Sequence, residues 1–398
     1  MPKNPGAVVA GHICLDVIPQ LTGGDWSQFE KTFLPGRLLK VGPVTFSTGG
    51  PVSNTGLALH KLGIPTQLMG KVGGDLLGQV VRRLVGSHGH HLADGMVVDR
   101  AVNTSYTIII SPPGMDRIFL HCPGANDTFS ADDVRYEVVA ESDLFHFGYP
   151  PLMKRMFEDD GAQLAAIFRR VKELGVTTSL DMAVPDPASA AGRADWPAIL
   201  RAVMPYVDVF LPSIDESLYM LRREIYEELS QPAGGDDLLS RITPALLSEL
   251  SGELLKMGGK IVGFKLGDRG LYMHTAGRLA IETLGAARPS NPATWAGKEL
   301  WAPCFEVDVV GTTGSGDATI AGFLSALLRD MSLEEALTAA VAVGACNVEA
   351  ADALGGIRPW EETWRRVESS WARRALRINA PGWRFDDREQ IWVGAAGS

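Results

Sequence analysis

Four cysteines, Cys14, Cys122, Cys304 and Cys346, are spread over 398 residues, and none is part of a CxxC pair. That scarcity excludes a disulfide-stapled scaffold, and the spacing offers no zinc motif. The thiols read as small buried groups in a reducing compartment. Basic residues are also in the minority. Lys and Arg number 37 against 47 Asp and Glu, a net charge of −10. A general binder of nucleic acid or of anionic membrane is therefore not expected. No apolar run approaches the roughly 20 residues that span a bilayer. Met1–Leu21 has no uninterrupted apolar core, because His12 and Asp16 break it, so a secretory leader is not expected. No internal repeat or low-complexity tract is present. No GxGxxG follows the first strand with an acid downstream, which argues against a dinucleotide oxidoreductase. A soluble, cytoplasmic protein is expected.

The chain does hold ample apolar material. Hydrophobic residues make up 45%, enough for a large core. Strands are expected at Val8–Val17, Val41–Ser47 and Gln67–Val72, with a helix over Asn54–Leu62. A second helix is marked by Leu76, Leu77, Val80, Val81, Leu84 and Val85 on one face. Tyr106, Ile108 and Ile110 alternate as on a half-buried strand. Pro112-Pro113-Gly114 turns the chain, and Arg117–His121 returns as a hairpin partner. Beyond residue 140, strands at Leu144–Phe147, Thr177–Asp181, Val207–Leu211 and Ile261–Leu266 alternate with helices such as Leu164–Val171. This pattern predicts an α/β fold with a parallel sheet covered on both faces, and a smaller sheet built from the earlier strands. Pro185–Trp196 and Gln231–Asp237 read as insertions, and Ala286–Lys298 as another loop. Trp360 to Ser398 reads as a helix and an extended segment packed on the body. Its tryptophans suit core packing first and a dimer surface second.

The most informative stretch is Val309 to Ala318, a strand end followed by a glycine-rich turn and a helix start. Ile320, Phe323, Leu324, Leu327 and Leu328 recur at spacings of three and four, which predicts a helix with one apolar face. The first N–H groups of a helix lack intrahelical partners, and its dipole adds partial positive charge there. Gly314 and Gly316 allow a ligand close to the backbone. Together these features suit a phosphate, even on an acidic protein. Asp317 would stand beside it, placed to take a proton from an attacking hydroxyl. A plain helix cap accounts for the same residues taken alone.

The wider pattern resembles the ribokinase-like (PfkB-type) carbohydrate and nucleoside kinases. Gly314-Ser315-Gly316-Asp317 with Ala321-Gly322-Phe323 is similar to that family's C-terminal signature. Gly49-Gly50-Pro51-Val52-Ser53-Asn54, with Leu59 and Leu62-Gly63, is similar to its GGxxxN…LxxLG. Gly70 to Gly78 resembles GxVGxDxxG. Weaker matches are Gly11…Asp16 with Pro19, and Arg117…Pro123-Gly124-Ala125-Asn126. Order and spacing agree from about residue 7 to about residue 355.

The resemblance implies a Rossmann-like body over residues 1–360, with a discontinuous β-sheet lid from about 13–18, 41–48 and 104–121. Residues 361–398 would form an extension packed on the body. It implies ATP and Mg2+ as cofactors and a small sugar or nucleoside as substrate, with dimerisation through the lid compatible. By this analogy Asp16, Gly49, Gly50 and Asn54 hold the substrate. Asp317 is the base and Gly314, Ser315 and Gly316 form the anion hole. Lys265, Gly267, Gly270, Thr312 and Asn347 lie on the nucleotide side, and Glu216 is the metal-side acid. A sugar's vicinal hydroxyls suit a carboxylate and an amide, which Asp16 and Asn54 supply. Each of these residues also has a purely structural reading, as a turn residue or helix cap. Two departures stand out. Gly311 replaces the Asp that opens the signature, so the resemblance does not extend to activation by a monovalent cation, although Asp308 lies nearby in sequence. Ser213 replaces the Asn of the family's NxxE motif, whose acid is Glu216. A catalytically weak sugar- or nucleotide-binding relative is the competing expectation.

Overall fold

In the computed structural model, residues 6–21, 34–112, 117–230 and 238–394 are described. The expected insertion at Gln231–Asp237 lies outside them, as does most of the turn after Pro112. The strands in chain order are β1 (Ala7–Gly11), β2 (Cys14–Pro19), β3 (Val44–Gly49), β4 (Thr66–Met69), β5 (Lys71–Gly73), β6 (Val97–Asp99), β7 (Tyr106–Ile110) and β8 (Ile118–Cys122). They continue as β9 (Leu144–Gly148), β10 (Thr177–Asp181), β11 (Val209–Phe210), β12 (Ile261–Lys265), β13 (Leu271–Thr275), β14 (Glu299–Ala302), β15 (Arg384–Asp386) and β16 (Ile391–Val393).

The main sheet has ten strands in the order β15-β16-β14-β13-β12-β11-β10-β9-β1-β4. From β4 to β12 all neighbours are parallel, and from β12 onward all are antiparallel. The expected parallel sheet thus covers six strands, and a hairpin turns the rest of it over. Period-two alternation divides the core. Ala7 and Val9 join the cluster on one face, Val8 and Ala10 that on the other. Both faces are covered, so central strands such as β1 and β9 are buried throughout. The tail contributes to this sheet directly, since β16 pairs with β14. Its tryptophans pack inward: Trp383 meets Tyr272 and Trp301, and Trp371 stacks on Phe305 at 4.3 Å.

Two expected strands prove to be broken. Val8–Val17 splits at His12-Ile13, β1 staying in the main sheet while β2 enters a second, four-stranded sheet ordered β3-β2-β7-β8. Gln67–Val72 splits at Gly70 into β4 and β5. Asn126 stabilises the first break: its Nδ2 donates to Ile13 O at 2.9 Å, and its Oδ1 accepts from Ile13 N–H at 3.3 Å. On β7 the buried positions are Thr107 and Ile109, with Tyr106, Ile108 and Ile110 half-buried. Leu76, expected on the apolar face of its helix, is 76% exposed at the first turn. The helix Ser315–Leu328 is buried on every side rather than along one stripe. It packs between the helices Pro51–Lys61 and Leu333–Asn347, which explains why its apolar residues are not confined to one stripe.

The carboxyl ends of the parallel strands converge at Gly11, Gly148, Asp181 and Lys265. β1 lies between β4 and β9, so the chain leaves it in both directions. Such a switch point opens a crevice beyond the strand ends.

Candidate active site

A cleft of about 910 Å³ opens between the main sheet and the small one. Asp16, Gly49, Gly50, Asn54, Thr312, Gly314 and Asp317 all line it. A second cavity of about 250 Å³ is lined by Lys265, Gly267, Gly270, Thr312, Ser315 and Gly316, with Val341 and Val348 supplying an apolar wall. Thr312 lines both, so the two cavities meet at the glycine turn.

Asp16 sits on β2 opposite Ser47 of β3 and Thr107 of β7. A side chain at Gly49 would place its Cβ 2.5 Å from Asp16 Oδ2, so only glycine lets this carboxylate lie against the turn. Burial pushes the Asp16 carboxyl up to about 6, against partial relief from Cys14, Thr107 and Arg117. The folded value lies above the unfolded one, so Asp16's contribution to stability is complete below about pH 4 and is lost as pH rises through about 6. A displacement of this size corresponds to roughly 3 kcal/mol. Asp16→Asn is therefore expected to gain up to that amount at pH 8 and nothing at pH 4, read from urea unfolding at the two pH values. An equal gain at both would show that ionisation of Asp16 is not the cause.

Asp317 is 2% exposed and lies in the first turn of its helix. Gly314 precedes the helix in left-handed conformation (φ 71), and no side chain caps this end. Three donors converge on the carboxylate. Asn54 Nδ2 and Tyr149 Oη donate to Oδ2 at 3.1 and 3.0 Å, and Thr55 Oγ1 donates to Oδ1 at 2.9 Å. Burial and the neighbouring Asp317 hold the Tyr149 hydroxyl well above its usual range, so it remains a donor. Asn54 thus faces the carboxylate as well as the cleft. From the small sheet, Arg117 donates to Thr313 Oγ1 and ties β8 to the glycine turn.

Beneath that turn lies a buried charge cluster. Lys265 Nζ pairs with Asp181 Oδ1 at 2.7 Å, and the ammonium would lie 3.4 Å from a Cβ on Gly316. Burial acts against the Lys265 charge, but Asp181 and Glu216 outweigh it and raise its pKa. Burial raises both Asp181 and Glu216. Glu216 also closes a capping box, its Oε2 accepting from Ser213 N–H at 2.6 Å and Ser213 Oγ accepting from Glu216 N–H at 3.2 Å. Ser213 is thereby a working N-cap. Asn347 stands apart from both cavities. It is fully buried, and its Nδ2 donates to Ala353 O at 2.7 Å. Its amide ties down the loop after its own helix, while Gly344, Ala345 and Val348 beside it line the smaller cavity. Asp308 is exposed.

Sequence reasoning did not single out Thr55, Tyr149 or Asp181. Thr55 directly follows Asn54 in the motif, and Asp181 ends a parallel strand, where functional acids gather in open α/β sheets. Tyr149 carried no local signal, because its reach to Asp317 crosses the cleft.

Similarity to known proteins decides the family. The model of the pfkB family of carbohydrate kinases matches residues 15–358. The chain belongs to this family. It is a carbohydrate kinase, a phosphotransferase with an alcohol acceptor. An ATP-dependent ribose-1-phosphate kinase of Halopiger xanaduensis is 27% identical over 299 residues, covering 75% of this chain and 79% of its own. Among solved structures, Arabidopsis thaliana ribokinase complexed with ribose and ATP matches with a TM-score of 0.66 at 19% identity, over 91% of this chain and 98% of its own. A candidate ribokinase II from E. coli in complex with ATP and Mg2+ matches with a TM-score of 0.62 at 18% identity, over 92% and 99%. These likenesses establish the ribokinase fold for the kinase. No helix among its described residues is long and apolar enough to cross a membrane.

Proposed function

We propose that this kinase transfers the terminal phosphate of ATP to a hydroxyl of a small sugar or sugar-like acceptor, with Asp317 as the base. The observation that carries the reading is that Asp317 faces the large cleft while Ser315 and Gly316, on the same uncapped helix start, face the smaller cavity. An acceptor in the cleft and a nucleotide in the cavity would meet at that turn. Asp16 accepts from the acceptor's hydroxyls, and the cleft excludes water once the small sheet closes as a lid. Asn54, Thr55 and Tyr149 hold the Asp317 carboxylate in one orientation, so that it receives the hydroxyl proton as the phosphoryl group moves. The N–H groups of the helix start and Arg117 offset charge on that group.

The residues present fit a divalent cation. Asp181, Glu216 and Asp317 outnumber the one ammonium of Lys265, and Asp181 Oδ2 is buried without a hydrogen-bond partner. Asp181 and Glu216 would hold Mg2+, which neutralises phosphate charge when bound. The exposed Val44, Phe46 and Leu120 of the small sheet support a second copy packed against it.

A coupled assay for ADP with Mg2+ across sugars, sugar phosphates and nucleosides tests the reading. Acceptor-dependent ADP formation with one of these classes is expected. Thermal stabilisation by these ligands with no ADP from any of them would favour a non-catalytic binder instead. Acceptor affinity is also expected to weaken as pH falls below about 6, where Asp16 takes up its proton. Asp16→Asn should be insensitive to pH in that range and weak throughout.

A further inference from the structure

Cys14, isolated in sequence, is not isolated in space. Ligand atoms of His12, Cys14 and His121 lie within 4.8 Å of one another at the base of the acceptor cleft. His12 follows the strand break, Cys14 opens β2, and His121 comes from β8. His12 is 2% exposed, yet neither ring nitrogen has a hydrogen-bond partner. A buried imidazole with both nitrogens unmet leaves a polar demand that something in the cleft must answer. Its ring centroid stands 5.3 Å from that of His121. Two imidazoles on one tetrahedral zinc, at about 2.0–2.1 Å each, place their centroids roughly 5 Å apart. Asp16 Oδ1 lies 3.4 Å from Cys14 Sγ, a separation two ligands of one such ion would have. Thr107 Oγ1 lies 2.9 Å from His121 Nδ1 and holds that ring's orientation, as outer partners of metal-bound histidines do.

We infer that His12, Cys14 and His121, with Asp16 beside Cys14, form a three-ligand site for a zinc-type divalent cation, and that the bound ion competes with the acceptor. Two imidazoles and one thiolate select zinc over magnesium, which prefers all-oxygen shells. The site differs in place and in ligand chemistry from the acidic cluster around Asp181. Cation binding stands on the cluster alone, whereas competition with the acceptor rests on the role proposed above for Asp16.

The test uses the full chain, reduced and stripped of metal by a chelator, and titrated with Co2+ as the spectroscopic probe. One ion per chain is expected, with a thiolate-to-cobalt band in the near ultraviolet that Zn2+ abolishes by displacement. Cys14→Ser should lose the band. Thr107→Val should keep the fold and weaken affinity on the order of tenfold or more, by freeing the His121 ring. In the kinase assay Zn2+ should raise the apparent KM for the acceptor and leave that for ATP unchanged. Absence of the band, or a band that survives Cys14→Ser, overturns the site. A cobalt band in a protein that makes no ADP with any acceptor leaves the site standing and overturns the kinase reading.

Discussion

Asp317→Asn should abolish turnover while leaving nucleotide and acceptor binding nearly intact. Among the described residues the carboxylate is the only acid shared by the cleft and the helix start, and an amide cannot take the hydroxyl proton. Loss of a positioned base costs about 10²- to 10⁴-fold in rate. The loss should fall on kcat, since the proton moves during the chemical step and not on binding. There is a structural cost as well. Asp317 accepts from Asn54, Thr55 and Tyr149, and an amide offers only one oxygen and brings two donors of its own. One buried donor would lose its partner, worth about 1–3 kcal/mol. Steady-state ADP formation, ligand binding by calorimetry and urea unfolding separate the three effects. A variant that phosphorylates its acceptor at a rate close to the parent's would remove Asp317 from the role of base.

Lys265→Met should be the most destabilising single change near the site, at about 3–5 kcal/mol at pH 8. The lysine is the ammonium paired with Asp181, whose side chain is 1% exposed, and Glu216 stands close enough to shift both. Methionine of similar length fills the space but leaves the carboxylates unpaired. The penalty should shrink as pH falls. Asp181 without its partner has a folded pKa raised still further above its unfolded value. Its stability contribution is then present below the unfolded value and lost as pH rises. Urea unfolding of variant and parent at pH 5.5 and pH 8 reads this directly, and a gap that does not change with pH would contradict it. Adding Asp181→Asn to the variant should restore part of the loss, because no charge then remains buried without a counter-ion at that position.

Legibility differed from element to element for physical reasons. The helix starting at Ser315 and the strand Leu144–Gly148 were readable because local turn chemistry and recurring apolar residues mark them. The breaks at His12-Ile13 and at Gly70 were not. An apolar run looks the same whether it lies in one sheet or passes between two, and the bonds from Asn126 that hold the first break come from more than a hundred residues away. The antiparallel half of the main sheet was equally hidden, since pairing direction depends on how the chain turns after Lys265.

What the order of residues decided alone was the pairing of a glycine-lined helix start with an acid at its third position, because those features act over a single turn of backbone. Tertiary structure decided which groups meet that acid and which share its charge. Thr55 and Tyr149 on Asp317, Asp181 against Lys265, and His121 beside Cys14 are all juxtapositions between separate elements. Each depends on interactions that fall off within a few ångströms, and only the folded chain brings such distant positions that close.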